Sequence, residues 1–434
     1  MPEIITKESK MLGEKYYTFT HKSGLKVYVF PKKLTSSYAI FATRYGSIDN
    51  KFKLDTDSEF TRVTDGIAHF LEHKMFECEN GEDAFELFAK TGASANAYTS
   101  NDTTAYLFST TENFYESLEY LLDFVTHPYF TEQTVQKEQG IIGQELRMYD
   151  DHPGSRLQRG LLEALYKDNK VRIDVGGTVE SIAEITAETL YKCYNTFYNL
   201  NNMVLSVCGD IELDKVIEAC DKILKDAPKQ NIIRDYELEN EPKEVYKKRS
   251  LCNLAIAKPM LAIGVKDNDI SSDPYERTKK FYAMQILNTM LFSRMGELYK
   301  TLYDEKLISH SLDASFEHTE YYSFNSIRAE SQEPEAVYSH FVEFIEETKK
   351  KGLDKEFFEL SKRTEYATFI KLFDATDYIA ENILGCHFDG VDLFDFPEII
   401  KSISLEYVTE LLESFYKEEY YAMSVVNPIE KGEN

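Results

Sequence analysis

The order of strand-like and helix-like segments recurs in the two halves of this 434-residue chain. In the first half, alternating apolar segments lead into helical patterns, a strand pair joined by a polar turn, more helices and a closing apolar strand. After residue 250 a similar order returns, beginning with the strand-like PMLAIGVKDN. The intervening segment 228–250 is charged and contains two prolines, which indicates a linker. We therefore predict an α+β fold of two topologically similar halves, 1–227 and 251–434, each a mixed sheet packed with helices.

Composition and charge argue against several classes of protein. A net charge of −26 disfavours nucleic-acid or anionic-membrane partners, because binding to either requires clustered Lys and Arg. No segment approaches the roughly 20 apolar residues of a membrane span, and the N-terminus lacks the apolar core of a signal peptide. The six cysteines form no C-x-x-C pair, so we expect reduced, mostly buried thiols and a cytoplasmic location.

Residues 66–77 read GIAHFLEHKMFE and place His69, Glu72 and His73 at H-x-x-E-H spacing in an otherwise apolar run. On a helix, which would begin near Thr64 or Asp65 as cap, the two histidines lie about 40° apart and the glutamate lies beside them. Two histidines one turn apart are a recurrent zinc chelate, and an adjacent glutamate serves as general base in metallopeptidases. The alternative interpretation, which stays open on these residues alone, is a helix edge with solvated histidines.

A catalytic zinc site needs a third protein ligand, and the pattern at 132–150 offers one. The other histidines are scattered along the chain. On the predicted helix, Val135, Glu138, Ile142, Glu145 and Tyr149 form one stripe that is apolar except for its two carboxylates. A buried carboxylate is costly unless it is paired or bound to a cation, so Glu138 and Glu145 are candidate site residues. The alternative is that this stripe is exposed to solvent.

Taken together, these motifs resemble those of the pitrilysin/insulinase-type zinc metallopeptidases, the inverzincins. The inverted H-x-x-E-H is followed some 70 residues later by two glutamates seven apart. The segments KTGASANAYTSNDTTAY, KEQGIIGQELRMYDDHP, GTVESI and FYNLNNMVLSVCGDIE resemble further family signatures, and SRMGELYKTLYDE resembles the corresponding helix of the second half. The resemblance is greatest to the short bacterial forms related to mitochondrial processing peptidase. It implies two halves facing each other around a chamber.

Carried over residue by residue, the resemblance makes His69, His73 and Glu145 the ligands of one Zn²⁺ per chain. Glu72 becomes the general base, and Glu138 becomes a supporting catalytic carboxylate. Residues 1–227 would then be the zinc-binding catalytic domain, 228–250 the charged linker, and 251–434 a metal-free homologous domain.

The resemblance also implies residues that bind the substrate. Asn96 and Ala97 match the strand edge at which family members bind peptides by strand addition, although Asn96 is equally compatible with turn chemistry. Family members carry an Arg and, seven residues on, a Tyr that hold the substrate carbonyl. Here those positions are Tyr303 and His310, and the Arg is missing. Loss of a preorganised cationic donor is expected to lower the rate on the order of 10²-fold or more.

The resulting functional prediction is a zinc-dependent endopeptidase subunit that hydrolyses peptides or unfolded segments. Because the Arg is missing, we expect a dimer, either with a metal-less homologous subunit that supplies an Arg/Tyr pair or with a second copy. The alternative is a non-catalytic assembly or peptide-binding subunit of a processing-peptidase-like complex. Such a subunit would have no reason to retain both the H-x-x-E-H motif and the downstream glutamates.

Overall fold

The computed structural model describes residues 2–77, 79, 81 and 84–429. These residues form two compact units, each assembled from three segments of the chain. The first unit comprises Met1–Leu146, Asp174–Tyr236 and Ile370–Phe394, and the second comprises Arg147–Ile173, Glu237–Phe369 and Asp395–Asn434.

The first unit is built around a seven-stranded mixed sheet with the order β1-β2-β3-β9-β4-β8-β7. Strand β3 runs parallel to β9, and the other neighbouring pairs are antiparallel. A second sheet of three strands has the order β10-β5-β6. The strands are β1 Ile5–Ser9, β2 Glu14–Thr20, β3 Lys26–Pro31, β4 Ser37–Thr43, β5 Lys51–Leu54, β6 Thr61–Arg62, β7 Ser94–Thr99, β8 Thr104–Thr110, β9 Met203–Gly209 and β10 Ile232–Arg234.

The second unit repeats the central topology of the first. Its five-stranded sheet has the order β11-β15-β12-β14-β13, with β11 parallel to β15 and the other pairs antiparallel. This is the pattern of β3-β9-β4-β8-β7, and in both sheets the last strand in sequence lies between the first two of the repeated set. The predicted topological similarity of two α+β halves is therefore confirmed. The strands are β11 Arg249–Leu254, β12 Met260–Lys266, β13 Asp313–His318, β14 Ser323–Glu330 and β15 Tyr421–Pro428.

Helices cover the faces of both sheets. The helix predicted over 132–150 is present as α4. In chain order the α-helices are α1 Ile67–Met75, α2 Ala84–Thr91, α3 Phe114–Thr126, α4 Glu132–Asp151, α5 Pro153–Leu165, α6 Val179–Ile182, α7 Ala187–Phe197, α8 Leu213–Ile223, α9 Pro274–Phe292, α10 Glu297–Asp304, α11 Pro334–Lys351, α12 Lys355–Lys371, α13 Thr376–Asp389, α14 Phe396–Ser402 and α15 Leu405–Phe415.

The two halves of the sequence exchange one helix each. Helix α5 follows α4 in the first half but packs on β11, β12 and β15 of the second unit. Helix α13 comes late in the second half but packs on β3, β4 and β9 of the first unit, which are the topological equivalents. The compact units are thus interleaved in sequence, whereas the domains predicted at 1–227 and 251–434 are contiguous.

The segment predicted as a linker, 228–250, contributes to the folded structure. It supplies strand β10, which pairs with β5 in the first unit. Arg234 of this strand donates through Nε to Oδ1 of the buried Asp49 at 2.9 Å. The same guanidinium donates to the backbone oxygen of Arg44 at 2.6 Å. This buried ion pair explains why a charged segment is ordered here, because an unpaired Asp49 carboxylate would be costly.

The helix with the H-x-x-E-H motif begins differently from the prediction. Helix α1 starts at Ile67, and its N-cap is Gly66, which has φ 89° and offers no side-chain cap. The prediction that Thr64 or Asp65 caps this helix is therefore wrong. A β-carbon at Gly66 would lie 2.4 Å from the backbone oxygen of Gly176, so only glycine allows this close approach.

Two expectations from composition concern membrane helices and cysteines. No helix in the described part of the chain combines the length and the apolar character needed to cross a bilayer. The described cysteines are free thiols, and all except Cys252 are buried. Cys78 lies outside the described residues.

The exchanged helix α5 should contribute substantially to the stability of the second unit. Leu161 on α5 is fully buried, and its Cδ1 would lie 2.8 Å from a β-carbon at Gly264 of β12. We expect Leu161→Ala to lower the free energy of unfolding by about 2–5 kcal/mol, measured by urea denaturation. Leu360→Ala is the matched control, because Leu360 is 40% exposed and its truncation should cost about 0.5 kcal/mol or less. Equal losses for the two variants would contradict the assigned packing of α5.

Candidate metal centre

Helices α1 and α4 bring three predicted ligands together. His69 Nε2 lies 3.8 Å from Glu145 Oε1, and His73 Nε2 lies 3.4 Å from Glu145 Oε2. One ligand atom from each of the three side chains lies within 4.8 Å of the other two. Within the ranges that the structure describes, this is the one group of three or more His, Cys, Asp or Glu side chains able to hold a metal ion.

The amphipathic character of α1 explains how the histidines are presented. Its apolar residues, including Phe70 and Leu71, are buried in the core of the first unit. The His69 and His73 rings remain partly accessible, with their centroids 4.6 Å apart. The helix therefore fixes the backbone on one face and offers two imidazoles on the other.

On α4, the predicted stripe is largely but not wholly buried. Val135, Glu138 and Ile142 are buried, and Glu145 is half-buried beside His69 and His73. Tyr149, however, is 40% exposed, so the prediction that it continues the stripe is wrong. The predicted spacing averages 3.5 residues per turn, whereas an α-helix has 3.6, so the stripe rotates away from the core by roughly 20° every seven residues. Leu146 is therefore buried in place of Tyr149.

Glu138 orients one of the imidazoles. Its Oε1 lies 3.2 Å from His73 Nδ1, and its side chain is only 9% exposed. With a proton on Nδ1 donated to this carboxylate, His73 directs the lone pair of Nε2 toward Glu145. Carboxylate partners of this kind fix the tautomer and raise the basicity of metal-binding histidines.

Glu72 lies on the same helix but has a different partner. Its Oε2 accepts a hydrogen bond of 2.6 Å from Thr99 Oγ1 on strand β7. Burial raises the pKa of Glu72 above its ordinary value, and the hydrogen bond from Thr99 opposes this shift. A carboxylate whose pKa is raised toward neutrality is better suited to take and release a proton at neutral pH.

The two histidines titrate differently. Burial, reinforced by the neighbouring His73, lowers the pKa of His69 to about 4, so its imidazole is neutral at neutral pH. Burial also acts to lower the pKa of His73, but the hydrogen bond with Glu138 and the nearby Glu72 and Glu145 carboxylates outweigh it and raise that pKa. In the absence of a cation, a proton on His73 thus offsets part of the negative charge of the cluster.

The donor set matches the requirements of zinc. Two imidazole nitrogens and one carboxylate are a known set for catalytic Zn²⁺, which leaves a fourth position for water or substrate. A divalent cation would also compensate the carboxylates that converge between the two helices. His69, His73 and Glu145 are therefore the side chains that would hold the ion, with Glu138 behind His73.

Sequence reasoning missed two features around the cluster. Thr99 follows Ala97 by two residues on β7 and so shares its face, but no local signal marked it as the partner of Glu72. The second feature is the glycine pair Gly176-Gly177, which abuts the start of α1 beside His69. A β-carbon at Gly176 would lie 2.7 Å from Leu146 Cδ2 and 3.5 Å from His69 Nδ1. Consecutive glycines were the available signal for such a close approach.

The predicted substrate-binding residues occupy two different units. Asn96 and Ala97 lie on β7, an edge strand of the first unit, and Asn96 Oδ1 accepts a 2.9 Å hydrogen bond from the Ala97 backbone N–H. Asn96 is exposed, and its side chain accepts a hydrogen bond from the backbone of the next residue. Tyr303 and His310 are exposed residues of the second unit, and Tyr303 stacks on Tyr299.

Comparison with known proteins gives the family. Residues 61–179, which contain the metal cluster, match the family model described as Insulinase (Peptidase family M16), and residues 184–365 match Peptidase M16 inactive domain. A relative from Bacillus subtilis named uncharacterized zinc protease YmfH is 38% identical over 411 residues, covering 94% of this chain and 95% of that protein. The chain belongs to peptidase family M16.

Other M16 proteins extend the comparison. The crystal structure of an M16-like peptidase from Alicyclobacillus acidocaldarius superposes with a TM-score of 0.91 at 31% identity, covering 98% of this chain and 100% of that one. A protein from Arabidopsis thaliana named as a probable mitochondrial-processing peptidase subunit beta is 25% identical over 194 residues, which is 44% of this chain and 36% of that protein. The predicted resemblance to short bacterial M16 proteins related to the processing peptidase is thus confirmed.

The carboxylate behind His73 should control metal affinity. We expect Glu138→Ala to weaken zinc binding by about 10–100-fold, because His73 Nδ1 then loses its acceptor. Competition with a chromophoric chelator measures the affinity. Glu138→Gln is the matched control, since its amide oxygen can still accept the hydrogen bond and it should lose less affinity than Glu138→Ala. Unchanged affinity in Glu138→Ala would contradict the assigned role.

Proposed function

We propose that this protein is a zinc-dependent endopeptidase subunit in which His69, His73 and Glu145 hold the ion and Glu72 is the general base. The observation that carries the proposal is the convergence of two imidazole nitrogens and one carboxylate beside a partly buried glutamate. Peptidase activity is the property by which family M16 is named, and the name of the Bacillus subtilis relative supports zinc as the metal.

The roles of the side chains follow from their contacts. His69, His73 and Glu145 would hold the zinc, which when bound would supply Lewis-acid polarisation of the scissile carbonyl. Glu72 takes the proton of the attacking water and delivers it to the leaving amine. Thr99 occupies Glu72 Oε2, so we assign the proton transfer to the other carboxylate oxygen, Oε1. Glu138 holds the His73 ring in place throughout.

Peptide would bind along the free edge of β7. Among the strands that the structure describes, β7 pairs with β8 alone, and its outer edge is the proposed place of strand addition. Asn96 would release the Ala97 N–H when the peptide binds, which allows the backbone ladder to form. Main-chain recognition of this kind suits peptides or unfolded segments of varied sequence. Tyr303 and His310 are the proposed donors to the substrate carbonyl.

A partner subunit is part of the proposal. Neither Tyr303 nor His310 carries the permanent charge of the missing Arg, so oxyanion stabilisation within one chain would be weak. We propose pairing with a metal-less homologous subunit that supplies an Arg/Tyr pair, and the similarity to a protein named as a processing-peptidase subunit supports this. A homodimer is the other arrangement. The cytoplasmic location expected from the sequence stays part of the proposal.

The competing function is a non-catalytic assembly or peptide-binding subunit. The cluster argues against it, because a subunit without chemistry gains nothing from two imidazoles that converge on Glu145 with Glu138 behind one of them. Such a cluster is costly to maintain without a cation. Peptide binding would require only the edge of β7 and none of these His and Glu side chains.

Replacement of the proposed base separates metal binding from catalysis. We expect Glu72→Gln to retain stoichiometric zinc and to lower kcat by about 10²–10⁴-fold, because the amide cannot accept the proton of water. Elemental analysis and cleavage of a quenched fluorescent peptide provide the two measurements. Glu188→Gln, an exposed position on α7, is the control for the loss of one charge and should keep full activity. Absence of bound zinc in the wild type, or full activity of Glu72→Gln, would refute the catalytic proposal.

The proposal that a partner subunit supplies the Arg/Tyr pair, so that the active site is divided between two chains, makes its own prediction. We expect the zinc-loaded chain alone to cleave peptide slowly and to gain about 10²-fold or more in rate when mixed with a metal-less homologue that carries the Arg/Tyr pair. The control is the same homologue with its Arg replaced by Ala, which should give no gain. Full activity of the isolated chain would disprove the divided site and leave the zinc proposal intact.

A further inference from the structure

A cluster on the other face of β7 joins this strand to the exchanged helix α13. Glu381 of α13 accepts two hydrogen bonds, from Tyr38 Oη at 2.7 Å and from Tyr98 Oη at 2.9 Å. Each tyrosine uses a different carboxylate oxygen. Glu381 is partly buried, so both bonds are shielded from competition with bulk water.

Strand β7 is thereby held from both faces. Tyr98 and Thr99 are consecutive, so their side chains project to opposite sides of the sheet. Thr99 donates to Glu72 at 2.6 Å on the metal side, and Tyr98 donates to Glu381 at 2.9 Å on the α13 side. Strand β7 is the edge of its sheet, and among the described strands only β8 forms a ladder of backbone hydrogen bonds with it. The side-chain bonds of Tyr98 and Thr99 therefore add to the pairing of Thr99 with Thr104 of β8, whose hydroxyl lies 3.4 Å from that of Thr99, in placing Thr99.

We infer that Glu381 is a positioning residue for Glu72, acting through Tyr98 and Thr99 across the edge strand. This inference rests on the proposed role of Glu72 as general base. Without the Tyr98–Glu381 bond, β7 can rotate or shift relative to β8, and the Thr99 hydroxyl then no longer holds Glu72 Oε2 in one place. A misplaced base slows proton transfer even when the metal ligands are intact.

The structure provides a matched comparison in Tyr38. Tyr38 donates to the same glutamate but lies on β4, which is paired on both sides, with Cys208 of β9 and Ser109 of β8 opposite it. Loss of the Tyr38 hydroxyl should therefore weaken the attachment of α13 without freeing β7. If Glu381 merely anchors its helix, removal of either tyrosine hydroxyl should have the same effect.

The test compares Tyr98→Phe with Tyr38→Phe in the full-length chain, with the activating homologue present. We expect Tyr98→Phe to lower kcat by about 10-fold or more with little change in KM or zinc content, and Tyr38→Phe to stay within about 2-fold of wild type. Glu381→Gln, which can still accept from Tyr98, should retain most of the kcat that Glu381→Ala loses. Amide hydrogen exchange over residues 94–99 in the metal-free protein should accelerate in Tyr98→Phe but not in Tyr38→Phe.

Two outcomes would overturn the inference: equal kcat in Tyr98→Phe and Tyr38→Phe, or unchanged exchange over 94–99 in Tyr98→Phe. Failure of the proposed function is distinguishable from both, because it would appear as full activity in Glu72→Gln or as absence of zinc. The exchange measurement needs neither metal nor turnover, so it tests the support of β7 in either case.

Discussion

The arrangement of the site depends on how negative charge is compensated between α1 and α4. Three glutamates from these two helices approach two histidines in a partly buried space, and each has an identified partner: Thr99 for Glu72, His73 for Glu138, and both imidazoles for Glu145. Buried carboxylates are tolerated only when paired or bound to a cation. The apolar faces of both helices, the glycine contact beside His69 and the Thr99 hydroxyl all act to keep these pairings in place.

Around this cluster, the same sheet topology serves two purposes. In the first unit, the strands equivalent to β11-β15-β12-β14-β13 are extended by β1 and β2. The edge strand β7 lies next to the candidate metal site, because its Thr99 contacts Glu72. In the second unit, the equivalent edge strand is β13, and the described residues of that unit hold no comparable group of candidate metal ligands. One architecture therefore holds a candidate metal-binding group in one copy and none among the described residues of the other, and the family model that matches residues 184–365 is described as an inactive domain.

The convergence of the candidate metal ligands was predictable because their signals are local. His69, Glu72 and His73 share one helical arc, and Glu138 and Glu145 stand out as carboxylates in an apolar stripe, so periodicity alone brings each set to one face. The strand and helix order was predictable for the same reason. Gly66 as the helix cap, Thr99 as the partner of Glu72 and the Glu381 bonds depend on contacts between distant segments, which periodicity does not report. The helix exchange was missed because α5 and α13 have ordinary amphipathic patterns that do not specify which sheet they cover.

That exchange has a consequence for the order in which the protein is made. The sheet that carries the candidate site is covered on β3, β4 and β9 by a helix that ends at residue 389. A ribosome must therefore synthesise the chain through α13 before the first unit has all its parts, and Tyr98 gains its acceptor only at that stage. A nascent or truncated chain would hold the histidines and glutamates but lack the support of the edge strand. The late arrival of α13 thus delays assembly of the complete candidate site until most of the second half of the sequence has been made.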